Sequence, residues 1–191
     1  MASAFRRKIG EHAGIADAAT GSMSHPYPPH LKNFSYVGRY RYFLTFCCIK
    51  GTQPFKHKSA VDLVLRQILR AAGEKAFEII AYCFMPDHLH LLVSGGNDTA
   101  DCRAFIKAAK QYSGYYHRRE LRHSLWQRYG YEHVIREDIE QGATIRYILD
   151  NPVRAGIVKT AAEYPFTGSN CHTMSELEQL ATASDEAKIP R

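Results

Sequence analysis

The sequence predicts an α+β domain in which a ferredoxin-like antiparallel sheet carries helices packed on one face. Runs of strand character alternate with runs of helical period in the order β-α-β-β-α-β-α. The two central strands form one hairpin through Met85, Pro86 and Asp87. The first six elements match the split β-α-β-β-α-β unit.

Residues 1–33 are rich in Ala, Gly, Ser, His and Pro, lack a sustained hydrophobic period, and are expected to form a flexible tail. Residues 40–49, dense in aromatic and β-branched side chains, predict the first strand, closed by Lys50, Gly51 and a turn near Pro54. Val61, Leu65, Ile68 and Leu69 recur at helical spacing from His57 to about Gly73, a suitable stop. Strands over residues 77–84 and 88–93 follow, ended by Gly95, Gly96, Asn97 and Asp98. Asp98 or Thr99 is placed to cap a long helix to about Leu121. Residues 126–135 return as an irregular strand, and a helix from Asp138 to about Asp150 is expected to stop near Pro152. Residues 176–183 suit a short final helix.

A chain of 191 residues is one domain and can bury a proper core. It contains no long apolar run, and Arg6, Arg7 and Lys8 are not followed by an apolar stretch. A membrane span and a secretory signal are therefore not expected, which places the chain in the cytoplasm. Five cysteines without C-x-x-C spacing suggest neither a disulfide framework nor a cysteine zinc site. The net charge of +6 suits a polyanionic partner. Lys107, Lys110, Arg118, Arg119, Arg122, Arg128 and Arg136 fall in one stretch, interleaved with Tyr112, Tyr115, Tyr116, Trp126, Tyr129 and Tyr131. The mixture fits single-stranded nucleic acid, or equally an amphipathic helix with a solvated basic face.

His88 and His90 flank Leu89 in a predicted strand, so both imidazoles project from one face. Such a pair can grip a metal ion, form half of a structural zinc site, or lie at the surface. Tyr147 and Asn151 stand four residues apart on a predicted helix, stacked roughly 6 Å along its axis. They either reach one small volume or serve packing and the turn into Pro152.

Met85-Pro86-Asp87-His88-Leu89-His90-Leu91-Leu92, followed about sixty residues later by Arg146-Tyr147-Ile148-Leu149-Asp150-Asn151-Pro152-Val153-Arg154-Ala155-Gly156-Ile157-Val158, resembles the REP-associated tyrosine transposases, a branch of the single-tyrosine HUH nucleases. Tyr36-Val37-Gly38-Arg39-Tyr40-Arg41-Tyr42-Phe43-Leu44-Thr45 resembles the first strand of that family, and Tyr164-Pro165-Phe166 its element after the Asn-Pro turn. The resemblance implies an HUH nuclease fold over residues 34–169, followed by a C-terminal tail over 170–191. It implies a strand transferase that cuts and rejoins single-stranded DNA with hairpin-forming ends. Tyr147 matches the nucleophile, His88 and His90 match the metal ligands, and Asn151 stands where a polar third ligand, often Gln, is found. Lys107, Lys110, Arg118, Arg119, Arg128, Arg136 and Arg154 are the candidate DNA contacts. Monomer and homodimer are both compatible with the resemblance.

The chemistry needs these groups. Cleaving a phosphodiester takes a nucleophile opposite the leaving oxygen and a cation against the negative charge that grows on the phosphoryl oxygens. Two imidazoles and an amide oxygen suit Mg²⁺ or Mn²⁺ with positions left open. A phenol also needs a base or positive charge beside it. His133 is a further candidate for the site. Two other readings stand beside this one: a binding protein of the same fold without catalysis, and a metal hydrolase that uses water. A structural zinc protein is disfavoured because no set of four ligands is evident.

Overall fold

A computed structural model describes residues 34–128 and 130–186. Its elements are β1 (Arg41–Cys47), α1 (Lys58–Glu74), β2 (Phe77–Met85), β3 (His88–Gly95), α2 (Cys102–Leu121), β4 (Tyr131–Ile135), α3 (Asp138–Arg154), β5 (Thr167–Gly168) and α4 (Met174–Glu186). The strands make one antiparallel sheet in the order β4-β1-β3-β2-β5. Its first four strands have the order of a ferredoxin-like unit, as expected, and β5 adds a short edge.

Alternation along the strands feeds two cores. Tyr42, Leu44 and Phe46 of β1 and Leu89, Leu91 and Val93 of β3 pack with Val61, Val64 and Ile68 of α1 and Phe105 and Ala109 of α2. Phe43 and Leu92 face the other way and meet Ile145, Ile148 and Leu149 of α3 and Leu177 and Ala181 of α4. The helices of the split unit thus share one face, and the elements after it cover part of the opposite face. A bulge between Ile79 and Ala81 in β2 sends Ile80 and Ala81 to the same core.

Element ends differ from the sequence expectation for local reasons. Asp101, not Asp98 or Thr99, caps α2, accepting from the backbone N–H groups of Arg103 and Ala104 at 2.9 and 3.1 Å. Asp98 is paired with Arg39 at 3.0 Å instead. Trp126 makes an isolated bridge to Cys48, and β4 begins at Tyr131. Helix α3 passes through Pro152 and ends at Arg154, with Gly156 in the left-handed region at φ 68°. Proline removes one bond from the helix ladder, yet Ile148, Leu149, Asn151 and Pro152 are all buried, so packing holds the last turn.

The short helix expected over residues 176–183 is present as α4 and folds back on α3. Leu177 and Ala181 are buried against α3, and the Arg146 guanidinium donates to the Ala181 carbonyl. The expected N-terminal tail lies outside the described residues. The five cysteines are free. Among the described residues, no helix is long and apolar enough to cross a membrane.

Candidate active site

Strand β3 presents His88 and His90 on the face that α3 covers. Their rings meet edge to face with centroids 4.6 Å apart, and their Nε2 atoms lie 3.1 Å from each other. Each ring is held at its other nitrogen. His88 Nδ1 donates to Asp87 Oδ1 at 2.7 Å, and His90 Nδ1 lies 3.0 Å from Thr45 Oγ1. Thr45 is there because it stands directly across from His90 in the β1–β3 register. The hydrogen bond to His88 holds the Asp87 carboxyl below the usual carboxylate range. Burial drives His90 well below the usual imidazole value, so its ring is neutral at pH 7, the form that coordinates metals.

Tyr147 comes from α3 and packs edge-on against Phe43 and His90, with centroids 5.7 and 5.5 Å away. Two turns on, Arg154 sets its guanidinium carbon 5.4 Å from the centre of the phenol ring. Asn151 is buried one turn from the tyrosine, and its Nδ2 donates to the Tyr147 carbonyl at 2.8 Å. That bond leaves the amide oxygen for another partner. His88, His90, Tyr147 and Asn151 line one cavity of about 240 Å³ with Thr45, Cys47, Lys50 and Asp87. Four residues from two distant segments of the chain therefore line one cavity.

The donor set can be tested for a metal on its own geometry. Among the described residues, no three or more His, Cys, Asp or Glu side chains are grouped to hold one. Two imidazoles with an amide oxygen form a smaller, open set. With both Nδ1 atoms donating, the two Nε2 lone pairs face each other, which is favourable when a cation lies between them. At 3.1 Å the two nitrogens are close enough to serve one divalent ion.

The basic candidates are dispersed. Arg154 stands beside Tyr147. Arg118 and Arg128 border a shallow groove between α2 and the segment after it, floored by Trp126 and flanked by Tyr115, which is 60% exposed. Gln127 lines both this groove and the cavity of the histidine pair. Lys110 points inward, donating to the Gln127 and Arg128 carbonyls at 2.8 and 3.3 Å, and burial lowers its pKa. Lys107 and Arg119 are exposed on α2, and Arg136 is exposed after β4. Tyr112 bonds Glu74 at 2.7 Å between the two long helices. His133 bonds Glu140 at 2.5 Å and is not among the residues lining the cavity.

Thr45 and Asp87 escaped the sequence reading as site residues. Asp87 adjoins His88 and carried a usable signal, a hydrogen-bond acceptor beside a histidine of the pair. Thr45 could be found only through strand register.

The family described as "Transposase IS200 like" matches residues 36–151. A REP-associated tyrosine transposase of Haemophilus influenzae is 32% identical over 114 residues, covering 53% of this chain and 64% of that protein. Its counterpart in Escherichia coli is 30% identical over 108 residues, covering 56% and 62%. The chain thus spans somewhat less than two thirds of these relatives. A solved REP-associated tyrosine transposase bound to a REP hairpin superposes with a TM-score of 0.61 over 77% of this chain and 82% of that one, at 21% identity, a likeness of fold. The paired histidines, the tyrosine helix and the match across residues 36–151 lead to one conclusion: this chain belongs to the IS200-like transposase family.

Proposed function

We propose that the protein is a cytoplasmic strand transferase that cleaves and rejoins single-stranded DNA beside hairpin-forming, REP-like ends, with Tyr147 as nucleophile. The observation that carries this reading is the convergence of Tyr147 with the His88 and His90 Nε2 atoms in one open cavity. The phenol oxygen of Tyr147 attacks phosphorus, a 5′-phosphotyrosine bond forms and the bond to the 3′ oxygen breaks. The phenol proton passes, in net, to the departing 3′ oxygen. One phosphodiester replaces another, so a 3′-hydroxyl can reverse the step without ATP.

His88, His90 and the Asn151 amide oxygen would hold a divalent ion, Mg²⁺ or Mn²⁺, which when bound supplies positive charge to the phosphoryl oxygens. Asp87 and Thr45 keep both rings turned so that Nε2 faces the cavity. Arg154 brings a second cation beside the Tyr147 ring, where it would attract a phosphate oxygen. Arg118, Arg119, Arg128, Arg136 and Lys107 serve as phosphate contacts around the fold, and Lys110 supports the segment that carries Gln127 and Arg128. The hairpin partner named for the solved relative supports a hairpin here too.

The test is cleavage of end-labelled hairpin DNA with Mn²⁺ or EDTA. The reading expects cleavage with Mn²⁺, none with EDTA, and none from the His88→Ala, His90→Ala double variant, which should remain folded. Cleavage that persists in EDTA overturns the metal assignment. Binding without cleavage across a panel of hairpins favours a protein that only binds.

A further inference from the structure

A row of aromatic side chains leads from the catalytic cavity to the open edge of the sheet. Thr45 pairs across β1 with His90 on one side and with Tyr131 of β4 on the other, so His90, Thr45 and Tyr131 lie in one line across three strands. Two strand spacings, about 10 Å, separate Tyr131 from His90 along the backbone. Phe43 bridges the interval: it stacks on His90 at 5.4 Å, meets Tyr147 edge-on at 5.7 Å and Tyr131 edge-on at 6.0 Å. β4 is an edge strand, and Tyr131 is 42% exposed.

Tyr131 is also fixed in place. His133 lies nearly parallel beside it, with ring centroids 6.5 Å apart and an interplanar angle of 18°. His133 Nε2 is bonded to Glu140 Oε1 at 2.5 Å, and Glu140 Oε2 accepts from the Arg136 backbone N–H at 2.9 Å. The strand enters through Gly130, where a Cβ would stand 2.5 Å from the Thr45 carbonyl oxygen, so the chain comes close to β1 just before Tyr131. A rigid, exposed aromatic ring beside a phosphate-cutting site suits the π-face of an unpaired base.

We propose that Tyr131, backed by His133, is a stacking subsite for the unpaired base next to the phosphate that Tyr147 attacks. This rests on the strand-transfer reading and adds a positioning role outside the catalytic cavity. The stack turns the flanking nucleotide aside and holds the scissile phosphate against the nucleophile. Stacking tolerates any base, so the subsite positions the strand without selecting its sequence.

The experiment places 2-aminopurine, a fluorescent base quenched by stacking, at each unpaired position beside the hairpin and reads it on binding to the Tyr147→Phe protein. Quenching is expected at one position next to the cleavage point and is relieved when Tyr131→Ala or Tyr131→Leu is added; leucine preserves packing against Phe43 but has no π-face. Tyr131→Trp should retain the quench. In the otherwise wild-type protein, Tyr131→Leu should slow single-turnover adduct formation about tenfold, and an abasic nucleotide at that position should remove the difference. Quenching and adduct rate both unchanged in the leucine variant would overturn the subsite. Retained, Tyr131-dependent quenching in a protein that forms no adduct would support the subsite while failing the strand-transfer reading.

Discussion

His88 and His90 face one another through what holds their far nitrogens. Asp87 and Thr45 each engage an Nδ1 and thereby aim an Nε2 into the cavity. Thr45→Val keeps the shape and removes the hydroxyl, so the protein should stay folded while its Mn²⁺ affinity falls by about 10–100-fold, the usual cost of losing such a support. Calorimetric titration of Mn²⁺ measures this, and an unchanged affinity would remove Thr45 from the site. The histidines, tyrosine and asparagine stood out in the sequence because their two motifs, in order and at that separation, resemble a known family; spacing alone left packing and surface readings open. Thr45 did not stand out, since 45 residues separate it from its partner and only the sheet brings them together.

Elements were legible wherever hydrophobic period was strong. β2, β3, α1 and α2 fall close to their expected ranges, and the hairpin between β2 and β3 follows from its sequence. Ends were less so, because several polar residues compete for each. Asp98, Thr99 and Asp101 can all cap a helix, and the pairing of Asp98 with Arg39 leaves Asp101 to cap α2. Asp101→Ala should therefore destabilise the protein by about 1 kcal/mol in urea unfolding, whereas Thr99→Ala should cost less. Equal losses would mean the cap is shared. The extension of α3 through Pro152 was hidden for a different reason: the packing that tolerates the proline comes from the sheet and from α4, far away in sequence.

At the scale of the molecule, the sheet separates two kinds of work. One face carries the core under α1 and α2; the other carries a second core with α3 and α4 and sets the tyrosine helix against the histidine strand. Helix α4 therefore stabilises the placement of Tyr147, and Leu177, fully buried between α4 and α3, is its anchor. Leu177→Ala should cost about 2–5 kcal/mol in urea unfolding, and an effect near zero would show that α4 adds nothing to the fold. The central claim is that Tyr147 is the group that joins DNA, and the most direct test is to incubate the protein with hairpin DNA and Mn²⁺, digest it, and find the modified peptide by mass spectrometry. The account predicts a 5′-phosphonucleotide on Tyr147, with no adduct in the Tyr147→Phe protein while DNA binding persists. An adduct on another residue, or DNA cut with no adduct at all, would contradict it.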